Sequence, residues 1–168
     1  MHQELEDARR VFHQLIATAT EADLRRRSNG TRWTNKQLLF HMLLGYLILR
    51  ALSTLVGLFG RLPDRVSRGY ARLLNSVTTP FDAVNYAGSW LGGTTLTTHR
   101  MEVMFDRVVA RLHRRLDAET DADLVRGMHY PTRWDPFFTD YMTLADVYRF
   151  PTRHFHFHRR QLSFGDDA

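Results

Sequence analysis

The chain holds 168 residues, 23 of them Lys or Arg and 18 Asp or Glu, for a formal net charge of +5. Hydrophobic content of 43% and charged content of 24% are those of a globular protein and exclude a disordered or fibrous chain, and the length fits one domain over residues 1–168. Cysteine is absent, which removes disulfide scaffolds, thiolate metal sites and Cys nucleophiles and leaves nine histidines as the strong borderline ligands.

From Leu5 to Ala19, the residues Leu5, Ala8, Phe12, Leu15, Ile16 and Ala19 recur at three- and four-residue steps, the pattern of an amphipathic helix. Ser28-Asn29-Gly30 breaks it. Thr34 followed by Gln37 is a capping-box signature that opens a second helix through Leu38, His41, Leu44 and Ile48 to Gly57 or Gly60. Pro63 starts a shorter helical stretch, Asp64 to Val77, which ends before Pro80. Residues 81–96, with Gly88, Gly92 and Gly93, read as a long loop. A third long helix follows from about Thr98 to Leu116, with Met101, Met104, Phe105, Val108, Val109 and Leu112 as its apolar stripe. Residues 117–142, with Pro131, Pro136 and a group of aromatics, read as mostly non-regular. Thr143 with Asp146 caps a last helix through Val147, Phe150, His154, Phe157 and Leu162. Four long helices with almost no alternating strand pattern give an all-α four-helix bundle, with an extra helical segment between the second and third long helices. The two long connections, 81–96 and 117–142, are candidates for covering a site.

The positive charge comes from 22 Arg and Lys36 alone, scattered and interleaved with acids. A solvated surface is therefore expected and no nucleic-acid partner, although an Arg-rich bundle binding nucleic acid or a protein remains the alternative. Residues 38–60 are long enough to span a bilayer, but Arg50 near the middle and His41 oppose it, so a central bundle helix is expected and no membrane. The apolar stretch Leu52 to Phe59 then needs cover, either from segment 64–77 or from a second copy in a homodimer. The opening residues carry Glu4, Glu6 and Asp7 without an apolar core, unlike a secretory signal, and a cytoplasmic location is expected.

The stretch from Pro151 to Leu162 carries the chemistry. As a strand it would place His154, His156 and His158 on one face. As a helix it puts His154 and His158 about 40° apart with His156 nearly opposite. Val147, Phe150, His154, Phe157 and Gln161 keep helical spacing, so the helix prevails. Two neutral imidazoles at i and i+4 form a two-point chelate for a divalent transition metal, and His41, in the core stripe of the second helix, is the candidate third ligand. Hydrogen-bonded core imidazoles are the competing reading. The other six histidines read as surface or incidental, with His99 and His129 in reserve. Asp140 and Asp146 are candidate partners for a ligating ring, though Asp146 is more simply a helix N-terminal charge. Trp134, Phe137, Phe138 and Trp90 line an apolar pocket or pack the loops.

Trp33-Thr-Asn-Lys-Gln-Leu-Leu-Phe-His41 resembles the tryptophan-to-histidine segment of the DinB/YfiT-like superfamily, and His154-Phe-His-Phe-His158-Arg159-Arg-Gln161-Leu162 resembles its C-terminal His-x-x-x-His-Arg-x-Gln-Leu segment. The resemblance implies a four-helix bundle holding one divalent metal, nickel, zinc or iron, through His41, His154 and His158. It also implies a metal-dependent enzyme that acts on a small molecule. In several branches such enzymes activate a low-molecular-weight thiol, such as bacillithiol or mycothiol, for transfer to an electrophile or for isomerisation. Others have been considered hydrolases that activate water. Arg159 matches the His-Arg step and is the first candidate for a substrate contact. Pro151 within the last helix, where it should introduce a kink, and the segment from about residue 52 to 96 depart from the simplest members.

Overall fold

The computed structural model describes residues 1–164. Helix α1 (His2–Thr18) buries Leu5, Ala8 and Phe12 along one stripe, as the spacing predicts. A single turn, α2 (Glu21–Arg25), leads to α3 (Asn35–Phe59), whose start is fixed by the expected capping box: Thr34 accepts from the Gln37 N–H, and Gln37 reaches back to the Thr34 N–H. A cap of this kind stabilises a helix by about 1 kcal/mol. Helix α3 has the length and composition of a membrane span, but Leu38, Leu39, Met42, Leu43, Tyr46 and Leu49 are fully buried within this chain. It is the central element, packed against α8 (Leu144–Arg159), α5 (Thr78–Thr95) and α6 (Thr98–Asp117). Helix α1 lies against α6 and α8. All-α is therefore the architecture: α1, α3, α6 and α8 are the four expected bundle helices, and α5, 18 residues long, is a fifth of comparable length.

The segment between α3 and α6 differs from the expectation. Helix α4 (Asp64–Ser76) is present, but residues 81–96 are not a loop; they belong to α5. The glycines there are close-approach positions rather than breaks. A Cβ on Gly92 would overlap the Phe40 ring, and one on Gly93 would overlap the backbone of Gln37, so α5 lies directly on α3 because both side chains are missing. The far end of α3 is covered in part by α4, where Phe59 stacks on Tyr70 at 4.9 Å, while Leu58 stays exposed.

Residues 117–142 also hold more structure than expected: a single turn α7 (Asp121–Leu124) and an antiparallel pair, β1 (Gly127–His129) and β2 (Tyr141–Thr143), with Met128 opposite Met142. The pair closes the base of the loop 130–140 and delivers the chain to Thr143, which caps α8 with Asp146 in a reciprocal box like that of α3. Helix α8 runs through Pro151 and ends at Arg159, short of Leu162. Beyond it, Ser163 is locked to the start of α3: Asn35 donates to Ser163 Oγ at 3.1 Å and accepts from its backbone N–H at 3.2 Å. This buried clamp ties the last turn of α8 to the first turn of α3.

Candidate metal centre

The α3–α8 interface brings His41, His154 and His158 to one place. Their ring centroids lie 4.8 Å apart for His41 and His154, 4.7 Å for His41 and His158, and 4.4 Å for His154 and His158. One nitrogen from each falls within 4.8 Å of the others, a group that can hold a metal ion. Donors bound at 2.0–2.1 Å to one tetrahedral ion lie about 3.4 Å from each other, so a small inward movement of the rings suffices. Gly45, one turn after His41, makes the approach possible, because a Cβ there would sit 3.1 Å from His154 Nδ1.

Each ring has a partner outside the group. His41 Nδ1 lies 3.0 Å from Ser89 Oγ, and Ser89 is fully buried on α5. His158 Nδ1 donates to Gln161 Oε1 at 2.6 Å. Gln161 is held in turn by its backbone carbonyl, which accepts from Asn29 N–H at 2.7 Å. Nε2 of both rings has no hydrogen-bond partner among the described residues. His154 Nδ1 is buried with no hydrogen-bond partner, and its Nε2 faces Asp135 Oδ2 at 3.7 Å. Trp33 stacks on His41 at 4.4 Å.

Burial sets the protonation. It drives the His41 imidazole down to about 3, with His158 beside it adding to the effect. His154 is lowered well below its ordinary range by burial and then by His41 and His158. His158 is lowered by burial against the opposing bond to Gln161. Burial raises Asp135 to about 6, with the Phe137 N–H working the other way. Three neutral imidazoles, one of them with an orphaned buried nitrogen, are the donor set that a divalent transition metal takes, so the residues fit such an ion.

The group forms one wall of an aromatic cleft of about 200 Å³ lined also by Ile48, Phe81, Trp134, Phe138 and Phe150. Phe81 and Trp134 stack face to face at 3.9 Å. Trp33, Asn85 and His158 are shared with a second, more open lobe of about 500 Å³ edged by Arg32, Asp82 and Gln161.

Trp134 and Phe138 therefore line the cleft, whereas Trp90 is 48% exposed and does not. Arg159 is exposed and borders a separate depression with Phe137, Arg153 and His156. His129 is neither surface nor ligand: it is 4% exposed, 3.2 Å from Asp140, with its backbone N–H on Ser67. Asp140 therefore lies beside His129 rather than the triad, itself exposed and not hydrogen-bonded to the ring, and Asp146 is spent on the α8 cap. Ser89 and Asp135 escaped the sequence reading. Ser89 lies in the glycine-containing stretch 81–96 that reads as a loop, and Asp135 has only its position among Trp134, Pro136 and Phe137 to mark it.

The family model described as DinB superfamily matches residues 4–162, nearly the whole chain. No curated protein and no solved structure matches the chain.

Proposed function

Because the chain belongs to the DinB superfamily, we propose that it is a metal-dependent enzyme whose His41, His154 and His158 hold one nickel, zinc or iron ion and which transfers a low-molecular-weight thiol to a small electrophile. The observation that carries this reading is the convergence of three neutral imidazoles, from α3 and α8, on the wall of an aromatic cleft. Three protein ligands leave coordination positions open, as in catalytic rather than structural sites. When bound, the ion supplies the charge that lowers the pKa of a thiol and so generates a thiolate nucleophile near neutral pH.

The protein's own residues do the rest. Gln161 Oε1, which only accepts, holds His158 with Nδ1 protonated and Nε2 unprotonated, and the Ser89 hydroxyl, when it accepts from Nδ1, does the same for His41. Phe81, Trp134, Phe138 and Phe150 exclude water from the inner lobe and favour an apolar or aromatic electrophile there. The wider lobe, with Arg32, Asp82, Asn85 and Gln161, has the hydrogen-bonding groups for a polar thiol cosubstrate whose sulfur reaches inward past His158. The absence of Cys is consistent with this chemistry, since the thiol comes with the cosubstrate.

Purified protein equilibrated with Ni²⁺, Zn²⁺ or Fe²⁺ and then dialysed is expected to retain one ion per chain, and the triple His41/His154/His158→Ala variant none. Equal metal content in the two proteins overturns the assignment. With the loaded protein, a thiol is expected to disappear in step with an aromatic electrophile. Turnover of the electrophile without thiol loss would instead assign water as the nucleophile.

A further inference from the structure

The three triad histidines are held by partners of different charge. His41 and His158 each turn one nitrogen to a neutral group, the Ser89 hydroxyl and the Gln161 amide oxygen. His154 turns Nε2 toward the carboxylate of Asp135, the one acidic group among the described residues lining the inner lobe, and keeps Nδ1 without a partner. Asp135 is 14% exposed, and among the described residues no Lys or Arg pairs with it. Its two oxygens have different tasks. Oδ1 accepts from the Phe137 N–H at 2.8 Å and so fixes the carboxylate in a tight turn, while Oδ2 is aimed at His154. A buried carboxylate that faces a neutral ring with no cation nearby is destabilising, and a dication held by that ring removes the imbalance.

We infer that Asp135 is the positioning residue of the metal centre: it holds His154 by the Nε2–H, leaves Nδ1 to the ion, and supplies the negative charge that the three histidines lack. The inference rests on the reading of the triad as a metal centre. At 3.7 Å the Asp135–His154 contact is longer than a hydrogen bond, and an ion held by His154 would make its N–H a stronger donor and favour closing that gap. A charged partner of this kind matters more than Ser89 or Gln161, since removing it also removes the countercharge.

The test uses Zn²⁺ and Ni²⁺ in competition with a chelator at neutral pH, on the full chain and on Asp135→Asn, with thermal melts of the metal-free proteins beside it. Asn keeps an oxygen for the Phe137 N–H, and Asp135→Ser, which also keeps one, serves as the second variant. Both are expected to bind the ions about 10- to 100-fold more weakly, while the metal-free proteins melt at the same temperature as the wild type or above it, because an uncompensated buried charge has gone. A role confined to the turn predicts the reverse, a lower melting temperature with affinity retained. Asp140→Asn, beside His129, is expected to change neither quantity. Affinities indistinguishable from the wild type in both Asp135 variants overturn the inference and leave the metal centre standing. Equal ion retention by the wild type and the triple His→Ala variant removes both.

Discussion

On the α1–α6 face, His13 lies 3.1 Å from Glu102 and 2.8 Å from Asp106, and His113 lies 2.8 Å from Glu6 while stacking on His2. On the α3–α8 interface, His41, His154 and His158 meet chiefly one another, with a hydroxyl, an amide and one carboxylate at hand. The first group is half-wet and supplied with acids, so each ring forms an ordinary surface ion pair when protonated. The second is buried and crowded with its own kind, so protonation is suppressed and three lone pairs are left available. Residue type is the same in both regions. Burial and company make one of them a solvated patch and the other a group of donors able to hold a metal ion.

Acid separates the two regions most strongly after removal of the triad itself. In the metal-free protein the His41 pKa is about 3, against 6.5 for the ordinary imidazole. Between those values the unfolded chain binds a proton that the folded protein does not, so stability falls as pH is lowered from 6.5 toward 3, by up to about 5 kcal/mol for this ring. His154 and His158 act in the same direction. Asp135 opposes them: with its pKa raised from 3.8 to about 6, the folded protein takes up that proton first, a contribution of about 3 kcal/mol gained as pH falls through that window. The urea midpoint of the metal-free protein is therefore expected to drop between pH 7 and pH 4.5, and the triple His→Ala variant is expected to show a shallower slope. An unchanged slope would show that the triad is not buried in solution.

Packing gives the next largest effect. Gly93→Ala places a methyl group against the backbone of Gln37, and the overlap forces α5 away from α3. A loss of about 1–3 kcal/mol is expected from chemical denaturation, with weaker metal retention because Ser89 moves with the helix. Substitution at Gly88, where a Cβ meets open space, serves as the control and carries no such overlap.

The smallest effect belongs to the wet region. His13→Ala and His113→Ala each remove exposed or half-exposed ion pairs. Changes of about 1 kcal/mol or less in unfolding free energy are expected, with metal content unaltered. Loss of the ion from either variant would place a ligand on the α1–α6 face.

The helices themselves were legible because each rests on a local code. Thr34 with Gln37 and Thr143 with Asp146 announce α3 and α8 from residues three apart, and the stripes of α1 and α6 repeat every turn. His154 and His158 share one face of α8 for the same reason, and His41 falls on the buried stripe of α3. The glycines of α5 were not legible, because glycine at Gly92 or Gly93 has the same letter whether it ends a helix or lets two helices touch.

The sequence by itself therefore determined the long helices of the bundle and the three histidines, since both follow from periodicity along single helices and from a motif pattern. Only the tertiary structure decided what surrounds those histidines. Ser89 lies 48 residues from His41, and Asp135 belongs to a loop whose course depends on the β1–β2 pair and on Trp134 stacking against Phe81. Such partners meet through packing between elements, which leaves no repeat in the chain to read, and it is these contacts that surround the three rings with a hydroxyl, an amide and a carboxylate.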